Sequence, residues 1–389
     1  MKARKLLMIP GPIEFEPSVL RAMGSATTSH VVPNFIETFG HSLEMMKEVW
    51  QCPTGQPFIL SGSGTLAMDS AASNLVEQGD RVLVLSTGYF GDRFADILTR
   101  YGADVLVLKA ETGGVVHPDL VEDELKKREY KLLLFTHVDT STAVLVDPVP
   151  IGELGLKYGV LTILDGVCSV AGEEIRQEEW GIDVVITASQ KAIGVPPGLA
   201  LMVVSPKAMN VWKARKTQVG SYYSDWSHWL PVMESYENRK PSYFGTPAVN
   251  LVAALEVSLQ IILNEGLGTR FERHRKTGSA FRYGLRALGL DQVPVNDLVA
   301  SNTLSAPLYP DGISGTQLLP LISEAGVILA GGLLPGLKDK YFRIGHMGSV
   351  NLGDMVTTMS AIESGLRKCG YSFESGAGIN AALAETMRL

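Results

Sequence analysis

The chain has 389 residues, 46% of them hydrophobic and 19% charged, which supplies a sizeable core and excludes disorder as the main state. Its 34 basic and 41 acidic residues leave a net charge of -7, which argues against nucleic acid or an anionic membrane surface as partner. Three scattered cysteines, Cys52, Cys168 and Cys369, make neither a disulfide framework nor a CxxC metal site and suit a reducing compartment.

The first residues, Met1-Lys2-Ala3-Arg4-Lys5, are basic, but the apolar stretch behind them stops at Pro10-Gly11-Pro12. That is shorter than a secretory h-region, and no apolar run approaches the ~18–20 residues that cross a bilayer. The expectation is an intracellular globular protein. From about residue 55 to 205, short apolar runs alternate with amphipathic stretches. The runs are Pro57–Leu60, Val82–Ser86, Asp104–Leu108, Lys131–Thr136, Leu161–Asp165, Asp183–Thr187 and Leu199–Val204. Continuous apolar runs of four to seven residues read as strands buried on both faces, and the alternation predicts a mostly parallel seven-stranded sheet covered by helices.

Residues 206–245 read as irregular and aromatic. Helical patterns follow over about 247–263 and 269–288, then strands near Asn302–Tyr309, Val327–Ala330 and Tyr341–Ile344. No internal repeat or low-complexity tract interrupts them. The organisation expected is an N-terminal arm (1–20), a large α/β domain (21–255) and a smaller C-terminal α+β domain (256–389).

Three local patterns carry chemistry. Ser61-Gly62-Ser63-Gly64-Thr65 follows a strand and opens a helix, so backbone N–H groups gather at the positive end of a helix dipole, a ready phosphate site. Read on to Ala67 the stretch fits G-x-G-x-x-A, but the next strand ends in Ser86-Thr87 rather than the acidic residue a dinucleotide ribose needs. The Gly-Lys-Ser/Thr of a P-loop is missing too. A lone phosphate fits best, with a plain tight turn as the alternative.

Asp165 closes the strand Leu161-Thr-Ile-Leu, where a carboxylate faces the ligand crevice of an open sheet or caps a helix. Lys191 follows a strand and precedes Pro196-Pro197-Gly198. A desolvated lysine is a Schiff-base nucleophile, and the alternative is a lysine snorkelling to solvent. A phosphate nest, a strand-end carboxylate and a loop lysine 26 residues beyond it are the parts that pyridoxal 5'-phosphate (PLP) requires. The histidines show no HxxxH or HExxH spacing, so no metal site is expected.

The chain resembles the class V aminotransferases of PLP fold type I, and within them the alanine–glyoxylate (serine–pyruvate) group. The resemblance runs from Leu6-Leu-Met-Ile-Pro-Gly-Pro to Tyr341-Phe-Arg-Ile-Gly. Its most specific pieces are Ser61-Gly-Ser-Gly, Thr136-His-Val-Asp-Thr-Ser-Thr, Leu164-Asp-Gly-Val-Cys-Ser and Ser189-Gln-Lys-Ala-Ile-Gly-Val-Pro-Pro-Gly. It implies Lys191 as the Schiff-base lysine and proton shuttle, and Asp165 on the pyridinium nitrogen. Ser63, Gly64, Thr65 and Gln190 would hold the phosphate, and Thr140 would lie near the cofactor. Val167 and Phe90 would pack on the ring, Phe90 where relatives carry tryptophan.

Tyr243 and Thr246 would reach the phosphate of a partner subunit, which implies a homodimer with active sites at its interface. Arg343 would grip the substrate carboxylate beside Gly11. His137 would lie near the cofactor or brace its loop. Family patterns after Arg343 commonly show an apolar pair, where this chain has His346-Met347.

The reaction implied is transamination from L-alanine to glyoxylate, giving pyruvate and glycine, with serine–pyruvate or another amino donor as the nearer alternative. A non-catalytic PLP-fold binding protein is the remote one. It predicts loss of the lysine or the arginine, and both are present. A desulfurase would need a reactive cysteine on a mobile loop, for which Cys369 is poorly placed. The C-terminal Met387-Arg388-Leu389 echoes a peroxisomal signal without its small residue, leaving cytoplasm or peroxisome as the compartment.

Overall fold

The computed structural model describes residues 5–388, so Leu389 of the C-terminal tripeptide and Met1–Arg4 of the basic start lie outside the described residues. Seven strands make the main sheet: β1 (Gln56–Gly62), β2 (Arg81–Ser86), β3 (Asp104–Lys109), β4 (Leu132–Thr136), β5 (Leu161–Asp165), β6 (Val184–Ala188) and β7 (Gly198–Val204). Their spatial order is β1-β7-β6-β5-β4-β2-β3. Every neighbouring pair is parallel except those of β7, which runs antiparallel to both β1 and β6. Each strand lies within two residues of a run read from the sequence.

The interior strands β4, β5 and β6 are buried at every residue, as strands covered on both faces are. The edge strand β3 is only partly covered. Register places Thr136 opposite Asp165, and Asp165 opposite Ile186. The C-terminal ends of the central strands are therefore level, and they form the floor of one crevice.

The aromatic stretch after residue 205 is a correction to the expectation of irregular structure. It holds two helices, Pro206–Lys213 and Trp226–Glu237. Ser205 accepts a hydrogen bond from Ala208 N–H, and Asp225 accepts one from Ser227 N–H, so each helix has a side-chain cap. Trp226, Trp229, Met233 and Tyr236 are buried at helical spacing, but Pro231 and the density of aromatic residues mask that period in the sequence. The later helices, Val249–Glu265 and Leu267–Ala287, match their predicted patterns closely.

The main sheet and its helices bury one hydrophobic core. A second cluster joins Phe281, Leu285, Leu318, Ile322, Phe342, Ile344 and Met359 from the C-terminal helices and a short three-stranded sheet. In that sheet Phe342–Gly345 lies between Leu304–Ser305 and Ala330–Gly331. The N-terminal segment enters this second cluster: Leu6–Leu7 pairs in parallel with Val327–Ile328, and Met8 is buried there. Among the described residues no single helix is long and apolar enough to cross a membrane, and no group of three His, Cys, Asp or Glu could hold a metal ion.

Candidate active site

β1 delivers Ser63 in an extended conformation (φ -116°, ψ 179°) as the N-cap of helix Gly64–Leu75, and no side chain caps that helix. Its first N–H groups therefore point into the crevice mouth as an anion-binding edge. Gly64 has to be small, because a Cβ there would come within 2.8 Å of Val167 Cγ2. At the end of β5, Asp165 Oδ1 accepts a hydrogen bond from Val167 N–H at 3.0 Å. Burial, with the nearby Asp139 adding to it, raises the Asp165 carboxyl to about 7, against the pull of Val167 N–H, Lys191 and Arg93.

The loop after β6 is closed on itself. Ser189 Oγ donates to Pro196 O at 2.8 Å and accepts from Leu199 N–H at 3.1 Å, while Gly194 N–H bonds Lys191 O. It carries Lys191 inward, 8% exposed, with Nζ donating to Pro10 O. Burial lowers the amine's pKa, the cation Arg343 pushes it the same way, and Cys168 and Asp165 oppose. Gly11, at φ +120°, covers this side chain so closely that a Cβ would lie 2.7 Å from Lys191 Cδ and 2.9 Å from Nζ.

Nine of the residues singled out in the sequence line one cleft of ≈ 200 Å³: Gly11, Ser63, Gly64, Thr65, Phe90, Thr140, Val167, Gln190 and Lys191. Arg343 reaches the same region by donating to Thr140 O at 3.2 Å and to Gly331 O at 2.8 Å. Burial lowers its pKa. Tyr243 and Thr246 are not brought to this cleft: both are exposed, and Tyr243 packs on the His30 ring at 5.3 Å. His137 is absent from its lining, and burial lowers its pKa to about 3, so it is a neutral ring within the fold. The Cys168 thiol is buried and its pKa is raised by burial, which leaves it a protonated thiol rather than a reactive thiolate.

Two residues that shape the cleft escape a sequence reading. Arg93 lines the cleft; the available signal was its place three residues after Phe90, on the same helical face. Asp139 is fully buried and accepts hydrogen bonds from the N–H groups of Phe90 (3.0 Å), Gly91 (3.4 Å) and Ser141 (2.8 Å). A carboxylate at that point favours the start of helix Tyr89–Arg100 and fixes where Phe90 and Arg93 emerge.

The cleft fits a phosphorylated aldehyde. It joins an uncapped helix N-terminus and a desolvated amine, and the strand-end carboxylate of Asp165 lies behind its wall, bonded to the N–H of the lining residue Val167. The buried Gln190 Oε1 accepts no hydrogen bond within the protein, which leaves an acceptor open to a donor group on a guest.

Comparison with known proteins identifies the family. The family model for aminotransferase class V matches residues 21–333, and the chain belongs to that family. It is an aminotransferase of the PLP-dependent fold type I, and its cofactor is PLP. Alanine–glyoxylate aminotransferase 1 of Saccharomyces cerevisiae is 37% identical over 362 residues, covering 89% of this chain and 93% of its own. The pyridoxamine–pyruvate aminotransferase of Mesorhizobium loti superposes with a TM-score of 0.93 at 28% identity, over 99% and 98% of the two chains. The ureidoglycine–glyoxylate aminotransferase of Bacillus subtilis does so with 0.92 at 29% identity, over 100% and 99%.

Proposed function

We propose that the enzyme transfers the amino group of L-alanine to glyoxylate, yielding pyruvate and glycine. The observation that carries the reading is the buried Lys191 amine in the cleft, close enough to Asp165 and the Arg343 guanidinium to feel both charges. The similarity to the yeast alanine–glyoxylate enzyme supports the same choice.

PLP, when bound, supplies an electron sink for the bond broken at the donor Cα. The chain's own residues do the rest. Lys191 Nζ would be the group that bonds the cofactor aldehyde and holds the donor's Cα proton as general base, a role that desolvation favours by lowering its pKa. Asp165 holds the charge that keeps the ring nitrogen protonated. Ser63, Gly64, Thr65 and Gln190 hold the phosphate, while Phe90 and Val167 pack on the ring and Thr140 lines the site. Arg343 presents a planar fork to the substrate carboxylate, with Gly11 as the wall beside it.

The exposure of Tyr243 and Thr246, away from their own cleft, supports a homodimer in which they complete the partner's phosphate site. Absorption spectra test the whole reading. The wild-type long-wavelength band should bleach with L-alanine and return with glyoxylate, and Lys191→Ala should abolish both changes. A band that ignores alanine but answers to serine or aspartate moves the donor and keeps the site. Mixing Lys191→Ala with Thr246→Ala chains should restore part of the activity if Thr246 serves the neighbouring site, and no restoration would refute the shared site.

A further inference from the structure

We propose that Arg93 is the cation that receives the cofactor's phosphate, an assignment that rests on the PLP reading of the cleft. Only two residues lining the cleft are cationic, Lys191 and Arg93. Lys191 Nζ is bonded to Pro10 O and reserved for the aldehyde. A phosphate monoester carries about -1.5 to -2 charges at neutral pH, and a helix N-terminus offers only about half a positive charge. The remainder calls for a cation in the cleft, and Arg93 is the one not otherwise engaged in the chemistry.

Its geometry suits that role. Arg93 stands one turn into helix Tyr89–Arg100, whose start is tied down by Asp139, and it is half-buried. Its guanidinium carbon lies 5.0 Å from the Phe90 ring centroid and 4.9 Å from that of Tyr89. Nη2 donates to Tyr89 Oη at 3.2 Å, and Nη1 donates to Thr65 Oγ1 at 3.2 Å. Two of its five N–H groups are thereby used and the others stay available.

The bond to Thr65 also decides the direction of a proton. An oxygen that accepts from Arg93 has its own hydrogen free to donate, and Thr65 stands in the first turn of the uncapped helix Gly64–Leu75. Guanidinium, hydroxyl and helix terminus thus meet at one end of the cleft, next to the ring of Phe90. The two aromatic faces stiffen the guanidinium, so little side-chain freedom remains to be lost when an anion arrives.

The test compares PLP with pyridoxal, which lacks the phosphate, by titrating full-length protein freed of cofactor and following absorbance and tryptophan fluorescence. Arg93→Met should weaken PLP by about 10–100-fold, the range for losing a charged hydrogen-bond partner, and leave pyridoxal within about threefold. Arg93→Lys should recover most of the loss, since charge survives without the fork. Far-UV circular dichroism checks folding, and Arg93→Gln is read in place of Arg93→Met should that variant not fold. Equal weakening of PLP and pyridoxal would overturn the proposal and leave Arg93 as a brace for Phe90; unchanged PLP affinity would overturn it outright. Wild-type protein that binds neither compound would instead overturn the cofactor reading beneath it.

Discussion

Replacing Asp165 by asparagine should stabilise the cofactor-free protein at alkaline pH while disabling the enzyme. In the folded protein this carboxyl titrates near 7 rather than at its ordinary 3.8, because burial strips water from the charged form. Between pH 4 and 7 the folded state therefore holds a proton that the unfolded chain has released. Linkage then makes stability fall as pH rises through that window and stay level above it. The displacement corresponds to a cost of about 4 kcal/mol, fully present by pH 8.

Asparagine keeps the shape and the Oδ1 acceptor for Val167 N–H but carries no charge. Urea unfolding of cofactor-free Asp165→Asn should thus show about 2–4 kcal/mol more stability than wild type at pH 8, with the gap closing as pH falls to 4. With cofactor, kcat should drop by about 10²–10³, the scale seen when one preorganised electrostatic partner is lost. A stability difference that does not vary with pH, or an asparagine variant less stable at pH 8, would refute the reasoning.

Three further substitutions probe other parts of the argument. Gly11→Ala places a Cβ against Lys191 at a backbone angle of φ +120°, so unfolding free energy should fall by about 2–4 kcal/mol and cofactor should load more slowly by absorbance; unchanged values would remove Gly11 from the site. Arg343→Lys gives up the fork held by Gly331 O and Thr140 O, and KM for the amino donor should rise about 10–100-fold with the thermal midpoint little moved. A fall in kcat alone would assign Arg343 another role. Trp226→Ala deletes a fully buried ring stacked on Phe58 at 5.3 Å and bonded to Ser70 Oγ, at a cost of about 3–5 kcal/mol in urea unfolding.

The main sheet was legible because strands buried on both faces must be continuously apolar, and those runs survive without any tertiary information. Ser63, Asp165 and Lys191 were legible as candidates for a related reason, since each sits at or just beyond the end of a strand, where an open sheet presents its crevice. Arg93 was not, because an arginine on an amphipathic helix reads as a solvated face until Thr65 and Phe90 are seen beside it. Asp139 was hidden inside a recognised motif, as its value lies in N–H groups 48 and 49 residues away. The helix Trp226–Glu237 was lost to composition, since aromatic residues and Pro231 are poor helix signals and tertiary packing overrode them.

The path of residues 6–13 makes the reactive amine answerable to two cores at once. Leu6–Leu7 is stitched to Val327–Ile328, Met8 accepts from Gly345 N–H at 2.8 Å, Pro10 O takes the Lys191 proton donor, and Ile13 N–H bonds Gln190 O at 3.3 Å. The segment acts as a tendon: its far end is anchored beside the Arg343 strand, and its near end sets the resting position of Nζ. A shift of the Arg343 strand is passed through the Gly345–Met8 hydrogen bond and the few residues from Met8 to Pro10 to the Lys191 amine, so the positions of the two cations are mechanically coupled. Engineers who trim or cyclise this end would be retuning the chemistry, although no residue of the tendon reacts.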